Sequence, residues 1–135
     1  MQALIDTSAL LALARSRDQY HERAIGIAEK HLSAGGRFIG TTLILGELHA
    51  HLLHLRGPAE ARDKIGRLLG DPIHDWVEVG AGLVTDALDD WLERFRDQGF
   101  TLADAVSFVV MKREGITRAF AFDRHFEVAG FELLQ

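Results

Sequence analysis

An α/β domain, with a short parallel sheet and helices on both faces, is the fold class this chain predicts. Short apolar runs alternate with longer amphipathic stretches from one end to the other. Breaks fall between them, at Gly35-Gly36, Gly57-Pro58, Gly70-Asp71-Pro72 and Gly115. Strands alternating with helices pair in parallel through right-handed crossovers. Such sheets bind ligands at the carboxyl ends of their strands, and Asp6 and Asp123 each close a short apolar run.

In chain order, residues 2–5 read as a buried strand. Residues 7–13 turn helical, with Asp6, Thr7 or Ser8 fitted to cap them. A helix at 18–33 carries the stripe Ala24, Ile27, Ala28 and Leu32, and Gly35-Gly36 ends it. Residues 38–40 form a short strand. Thr41 or Thr42 caps the next helix, which runs to Arg56. Pro58 suits the first turn of another, at 58–69. The alternation over 73–79 predicts a strand. Leu83, Ala87, Leu88, Trp91, Leu92 and Phe95 predict an amphipathic helix at 82–97. Thr101 opens a helix to Arg113, which Gly115 stops. Residues 118–122 and 131–134 supply the last strands.

The length of 135 residues fits one domain, 1–135, with a substantial core. With 47% hydrophobic and 26% charged residues, the composition is that of an ordinary globular protein. The absence of cysteine rules out disulfides and thiolate chemistry. Nothing at the start reads as a signal peptide, and no apolar run approaches the ~20 residues of a membrane span. The expected location is the cytoplasm. A net charge of −5 argues against a non-specific nucleic-acid coat, but an enzyme acting on nucleic acid remains compatible with it. The arginines are scattered rather than blocked.

Four acids carry the chemistry. Asp6 follows Ala3-Leu4-Ile5, and Glu47 sits within Leu43-Ile44-Leu45-Gly46-Glu47-Leu48. Asp104 opens the apolar run from Ala105 to Met111, and Asp123 follows Ala119-Phe120-Ala121-Phe122. An ionised carboxylate at the edge of buried segments is costly unless paired. No Lys or Arg occupies matching positions, so a divalent cation with oxygen ligands is the natural partner. Each acid also has a structural use. Asp6 fits a helix cap, Thr101-Leu-Ala-Asp104 a capping box, and Asp123 a turn. Glu47 is the hardest to explain structurally, because leucines and an isoleucine surround it on most helical faces.

Glu47, His51 and His54 occupy neighbouring helical turns and also admit a zinc site, although the order is not HExxH. His49, His51 and His54 fit a mixed helix face better than a zinc site. His21, His31, His74 and His125 show no ligand spacing. Glycine-rich phosphate cradles and the GxSxG elbow are absent.

At these residues the chain resembles the PIN-domain ribonucleases, specifically the VapC-type toxins of toxin–antitoxin pairs. The carriers are Leu4-Ile5-Asp6-Thr7-Ser8-Ala9-Leu10, Thr42-Leu-Ile-Leu-Gly-Glu47, Thr101-Leu-Ala-Asp104-Ala-Val-Ser107 and Ala121-Phe122-Asp123-Arg124-His125-Phe126. The resemblance implies a three-layer α/β/α sandwich and an Mg²⁺- or Mn²⁺-dependent endoribonuclease held in check by an antitoxin. It also implies that Asp6, Glu47, Asp104 and Asp123 are the catalytic, metal-binding acids. Where such proteins often carry Thr or Ser two residues before the last acid, this chain has Ala121; Thr7 or Ser107 would then be the supporting hydroxyl. Two other readings stay open: a receiver-like domain that binds Mg²⁺ and accepts a phosphoryl group, and a catalytically silent binding module. A homodimer is also expected, because Leu45, Leu48, Leu52, Leu55, Ile65, Leu68 and Leu69 crowd two adjacent helices.

Overall fold

A computed structural model describes residues 1–135. At its centre is a five-stranded sheet in the order β3-β2-β1-β4-β5. The strands are β1 (Gln2–Ile5), β2 (Arg37–Thr41), β3 (His74–Val77), β4 (Arg118–Phe120) and β5 (Glu132–Leu133). Every neighbouring pair is parallel, as expected. Helices α1 (Thr7–Ala14) and α2 (His21–Ser33) join β1 to β2, and α3 (Thr42–Arg56) and α4 (Pro58–Gly70) join β2 to β3. Helix α5 (Ala81–Ala87), a π-helical turn at Leu88–Leu92 and α6 (Leu102–Glu114) lead to β4, and α7 (His125–Val128) leads to β5.

The first two crossovers step outward from β1 on one side, and the later ones build on the other. Right-handed connections therefore place α1–α4 on one face and α5–α7 on the opposite one. The packing agrees: α1 touches α2 and α3, α3 touches α4, and α6 touches α5 and α7. Strand β2 lies between α3 and α6. This is the α/β/α sandwich, and β1 is where the direction of winding reverses. The crevice past the carboxyl ends of β1 and β4 is thus the binding position for this topology.

Helix α6 is buried from Ala103 through Met111, which explains an apolar run without a polar face. Its Phe108 anchors an aromatic cluster with Trp91, Phe100, Phe126 and Phe131. Helix caps follow the sequence closely. Asp6 caps α1 and Thr41 caps α3, while Thr42 instead accepts a hydrogen bond from the Val79 N–H at 3.1 Å. Gly115 ends α6 at φ 68°.

Several boundaries differ from expectation. Helix α2 starts at His21 rather than residue 18, because Asp18 accepts the Tyr20 N–H and forms a turn there. The expected helix at 82–97 loses its α-helical register at Leu88, where the Glu93 N–H bonds to the Leu88 carbonyl. The extra residue in that turn swings Leu88 into solvent and seats Trp91 on the aromatic cluster. Strands β3, β4 and β5 are each shorter than predicted. Asp123 therefore lies beyond β4 instead of ending it. Of the seven apolar residues on α3 and α4 expected to overflow one domain, Leu45, Leu48, Leu52 and Leu68 are buried within it, Ile65 is half-buried, and Leu55 and Leu69 are exposed. No helix is long and apolar enough to cross a membrane.

The pairing of β2 with β3 depends on Gly40, which faces Trp76 in register. A Cβ on Gly40 would sit 2.5 Å from Cζ3 of that ring. The ring is tethered by its Nε1–H to the Leu68 carbonyl at 2.9 Å and cannot turn aside freely. Gly40→Ala should destabilise the protein by about 1–3 kcal/mol, the usual range for overpacking. Chemical denaturation of the two proteins checks this.

Candidate active site

One cavity of about 220 Å³ opens past the carboxyl ends of β1 and β4. Asp6, Glu47, Asp104 and Asp123 all line it, with Thr7, Ser8, Leu11, His51, Thr101 and His125. Four positions scattered over the sequence thus meet in one place, each delivered by a different element. Asp6 follows β1 directly; its N–H continues the sheet by bonding to the Phe120 carbonyl at 3.0 Å. Glu47 projects from the second turn of α3. Asp104 sits at the third position of α6. Asp123 follows β4 in a turn, where it accepts the His125 N–H at 3.0 Å.

Each carboxylate gives one oxygen to the protein. Asp6 Oδ2 accepts from the Ser8 hydroxyl at 2.9 Å, and Glu47 Oε1 from the Thr7 hydroxyl at 3.0 Å. Asp104 Oδ2 completes the capping box by accepting the Thr101 N–H at 2.9 Å, and it also lies 2.7 Å from His125 Nδ1. The second oxygen of each acid takes no donor from a serine, threonine, histidine or backbone group. The cap roles of Asp6 and Asp104 are therefore real, and they leave half of each carboxylate unused.

Charge is unbalanced here. Asp6 and Asp104 are buried, at 6% and 7% exposure, and no Lys or Arg lines the cavity. Burial is the main reason that the Asp6 carboxyl is pushed up to about 8; Asp123, close enough to share its proton, and the charge on Asp104 raise it further, against the Ser8 hydrogen bond. Buried carboxylates with no cationic side chain beside them have the charge and the hard oxygen donors for a divalent ion. The carboxylates ring the cavity rather than close on a point, and no three His, Asp or Glu side chains are drawn together as a finished cage.

The histidine alternative finds less support. His51 lines the cavity, but His54 does not, so Glu47, His51 and His54 share no common centre. His125, which showed no ligand spacing, proves to be the partner of Asp104 across 21 residues of sequence. Of the two candidate supporting hydroxyls, Thr7 is present at the cavity through Glu47. Ser107 is not: its hydroxyl is fully buried in the core without a partner. Sequence reasoning missed Ser8 as a site residue; its hydroxyl donates to Asp6 and accepts the Phe122 N–H at 3.0 Å, joining the start of α1 to the turn after β4 beside Ala121. Ser8→Ala would strand that N–H. It should destabilise the protein by about 1–3 kcal/mol, measurable by thermal melting, and push Asp6 higher still.

Residues 3–132 match the family described as PIN domain. A 42-residue stretch is 45% identical to the 23S rRNA-specific endonuclease VapC20 from two strains of Mycobacterium tuberculosis; it covers 31% of this chain and 32% of that protein. The crystal structure of M. tuberculosis VapC20, described as a Sarcin-Ricin loop cleaving toxin, superposes with a TM-score of 0.81 at 30% identity over 96% of this chain and 95% of that one. FitAcB from Neisseria gonorrhoeae has the same fold, with a TM-score of 0.67 at 14% identity over 100% of this chain and 97% of the other.

Proposed function

This chain belongs to the PIN-domain family, and from that premise we propose that it is a metal-dependent endoribonuclease, the toxin of a toxin–antitoxin pair. The observation that carries the reading is the cavity that Asp6, Glu47, Asp104 and Asp123 all line, each keeping one oxygen that no hydroxyl, histidine or backbone N–H occupies. Four carboxylates alone would repel a phosphodiester. Mg²⁺ or Mn²⁺ bound among them would invert the local field, acidify a water and stabilise the charge on the departing oxygen.

The protein's own groups divide the work by burial. Asp6 and Asp104, buried and fixed by their caps, are the anchoring ligands. Glu47 and Asp123 are half-exposed and stand where solvent enters, so they complete the ligand set and orient the attacking water. That water's oxygen would form the new bond to phosphorus and give its proton to a carboxylate, while the bond from phosphorus to the leaving sugar oxygen breaks and that oxygen takes up a proton from solvent. Thr7 holds Glu47, and His125 holds Asp104, in position for this.

Ribosomal RNA is the first substrate to offer, given what the M. tuberculosis relative is named for cutting. The partner is a cognate antitoxin chain, and the setting is the cytoplasm. The homodimer rests on the exposed Leu53 of α3 and Leu69 of α4. Light scattering at micromolar concentration decides it, and a monomer there excludes it. RNA incubated with the purified protein should be cut with Mg²⁺ and remain intact with chelator. Phosphoryl uptake from a small donor without cleavage would favour the receiver-like reading instead.

A further inference from the structure

Helices α1 and α3 lie against each other, and two rows of side chains run along them from the acid cavity. On α1 the row is Thr7, Leu11 and, just past the helix end, Arg15; on α3 it is Glu47, His51, Leu55. Both step by four residues, so each row keeps to one face of its helix. The first two members of each row line the acid cavity. The last members, Arg15 and Leu55, line a second cavity, completed by Ser16, Arg17 and Arg56. The Thr7–Glu47 hydrogen bond holds the rows together at the acid end. The arginine end lies about 12 Å further along, eight residues at ~1.5 Å each.

This second cavity has three arginines and no acid in its lining, in a chain whose net charge is −5. Arg15 and Arg17 take part in no ion pair. Arg56 is bridged to Glu60 at 3.3 Å, but both side chains are exposed, and such a pair exchanges readily for a better anion. A neighbouring cavity shares Arg56 and sets Lys64 against Glu60 and Asp63, so its charges balance and the unopposed arginines are those of the first.

Resting on the nuclease reading, the geometry points to Arg15, Arg17 and Arg56 as a phosphate subsite that grips the RNA strand a few nucleotides away from the bond that is cut. A single strand carries phosphates at regular intervals, so a group held at the acid end places others along the rows. Guanidinium forks match phosphate oxygens in pairs. Leu11 and His51, the middle members of the rows, offer bases an apolar and a flat surface between the two ends.

The test is the double variant Arg15→Ala/Arg17→Ala, with Arg15→Lys/Arg17→Lys beside it. Binding of a fluorescent single-stranded RNA to chelator-treated protein is read by anisotropy over a series of salt concentrations. The alanine pair should weaken binding about tenfold and flatten the salt dependence by roughly 1.4 in log–log slope, about 0.7 per lost phosphate contact. The lysine pair should keep most of the affinity. Melting temperatures should not move, because neither arginine is tied to the protein. In Mg²⁺ the alanine pair should raise KM for a long RNA, leave kcat near the parent's, and cut a dinucleotide as the parent does. Unchanged RNA affinity and slope would overturn the subsite, as would a loss confined to an acidic peptide probe, which would make the patch a protein contact. If the parent binds RNA through these arginines yet cuts none, the nuclease reading fails and the subsite stands. If the parent cuts RNA and the alanine pair behaves identically, the reverse holds.

Discussion

Asp6→Asn is expected to remove Mg²⁺-dependent RNA cleavage while making the metal-free protein more stable at neutral pH. The two effects have one origin. Asp6 is buried beside Asp123 and Asp104 with no cationic side chain in the cavity, and its carboxyl is held up at about 8 mainly by that burial. Asparagine keeps the oxygen that accepts from Ser8 and so preserves the cap. It carries no charge to desolvate or to repel Asp123. What it cannot do is offer a divalent ion an anionic oxygen. Removing a group that merely supports a metal ligand typically costs 10–100-fold, so loss of a ligand itself should lower kcat/KM by more than about a hundredfold. Mg²⁺ should raise the melting temperature of the parent and do so less for the variant. Should Asp6→Ala and Asp104→Ala each lose about 0.5–2 kcal/mol without metal, with no Mg²⁺ shift in the parent, the acids are caps and the nuclease reading fails.

The second large effect is on pH dependence. Metal-free parent protein should lose stability as pH rises from about 4 to about 8. In the unfolded chain an aspartate releases its proton near 3.8, whereas folded Asp6 keeps it to about 8. Between these values unfolding releases a proton, so raising the pH favours the unfolded state. The contribution is fully present below pH 4 and exhausted above pH 8. At about 1.4 kcal/mol per pH unit, it amounts to several kcal/mol over the window. The usual trend for paired carboxylates is the opposite, a gain of stability over the acid range, which makes the sign diagnostic. Asp6→Asn should flatten the curve. Mg²⁺ should stabilise the parent more at pH 8 than at pH 5, because ion and proton compete for the same oxygens. Denaturation midpoints at three pH values, with chelator and with Mg²⁺, decide the matter; stability rising with pH in chelator sinks the account.

Much of the fold was legible because local chemistry agreed with tertiary placement. Thr41, Pro58, Thr101 and Gly115 mark helix ends by hydrogen bonds and backbone preferences that neighbouring residues settle. The π-helical turn was not legible. The stripe Leu83–Phe95 satisfies an ordinary helix, and only the pull of the aromatic cluster on Trp91 selects the extra residue. The placement of the four acids followed from their positions beside apolar runs. The contact of His125 with Asp104 did not, because it depends on how α7 returns over the start of α6. Ser107 failed for a related reason. One turn beyond Asp104 looks adjacent in sequence, but α6 is buried all round and that turn carries the hydroxyl into the core.

The closure of the site by the Ser8–Phe122 hydrogen bond, which spans 114 positions, has a consequence for biosynthesis. Strand β1 is made long before its neighbour β4 and the turn that carries Asp123. A growing chain can assemble β1, β2 and β3 with their helices while Asp104 and Asp123 are still untranslated. Long-range parallel pairing is also the slow part of folding. On a ribosome, then, the acid cavity stays incomplete until β4 has emerged and paired with β1, which brings Asp123 beside Asp6.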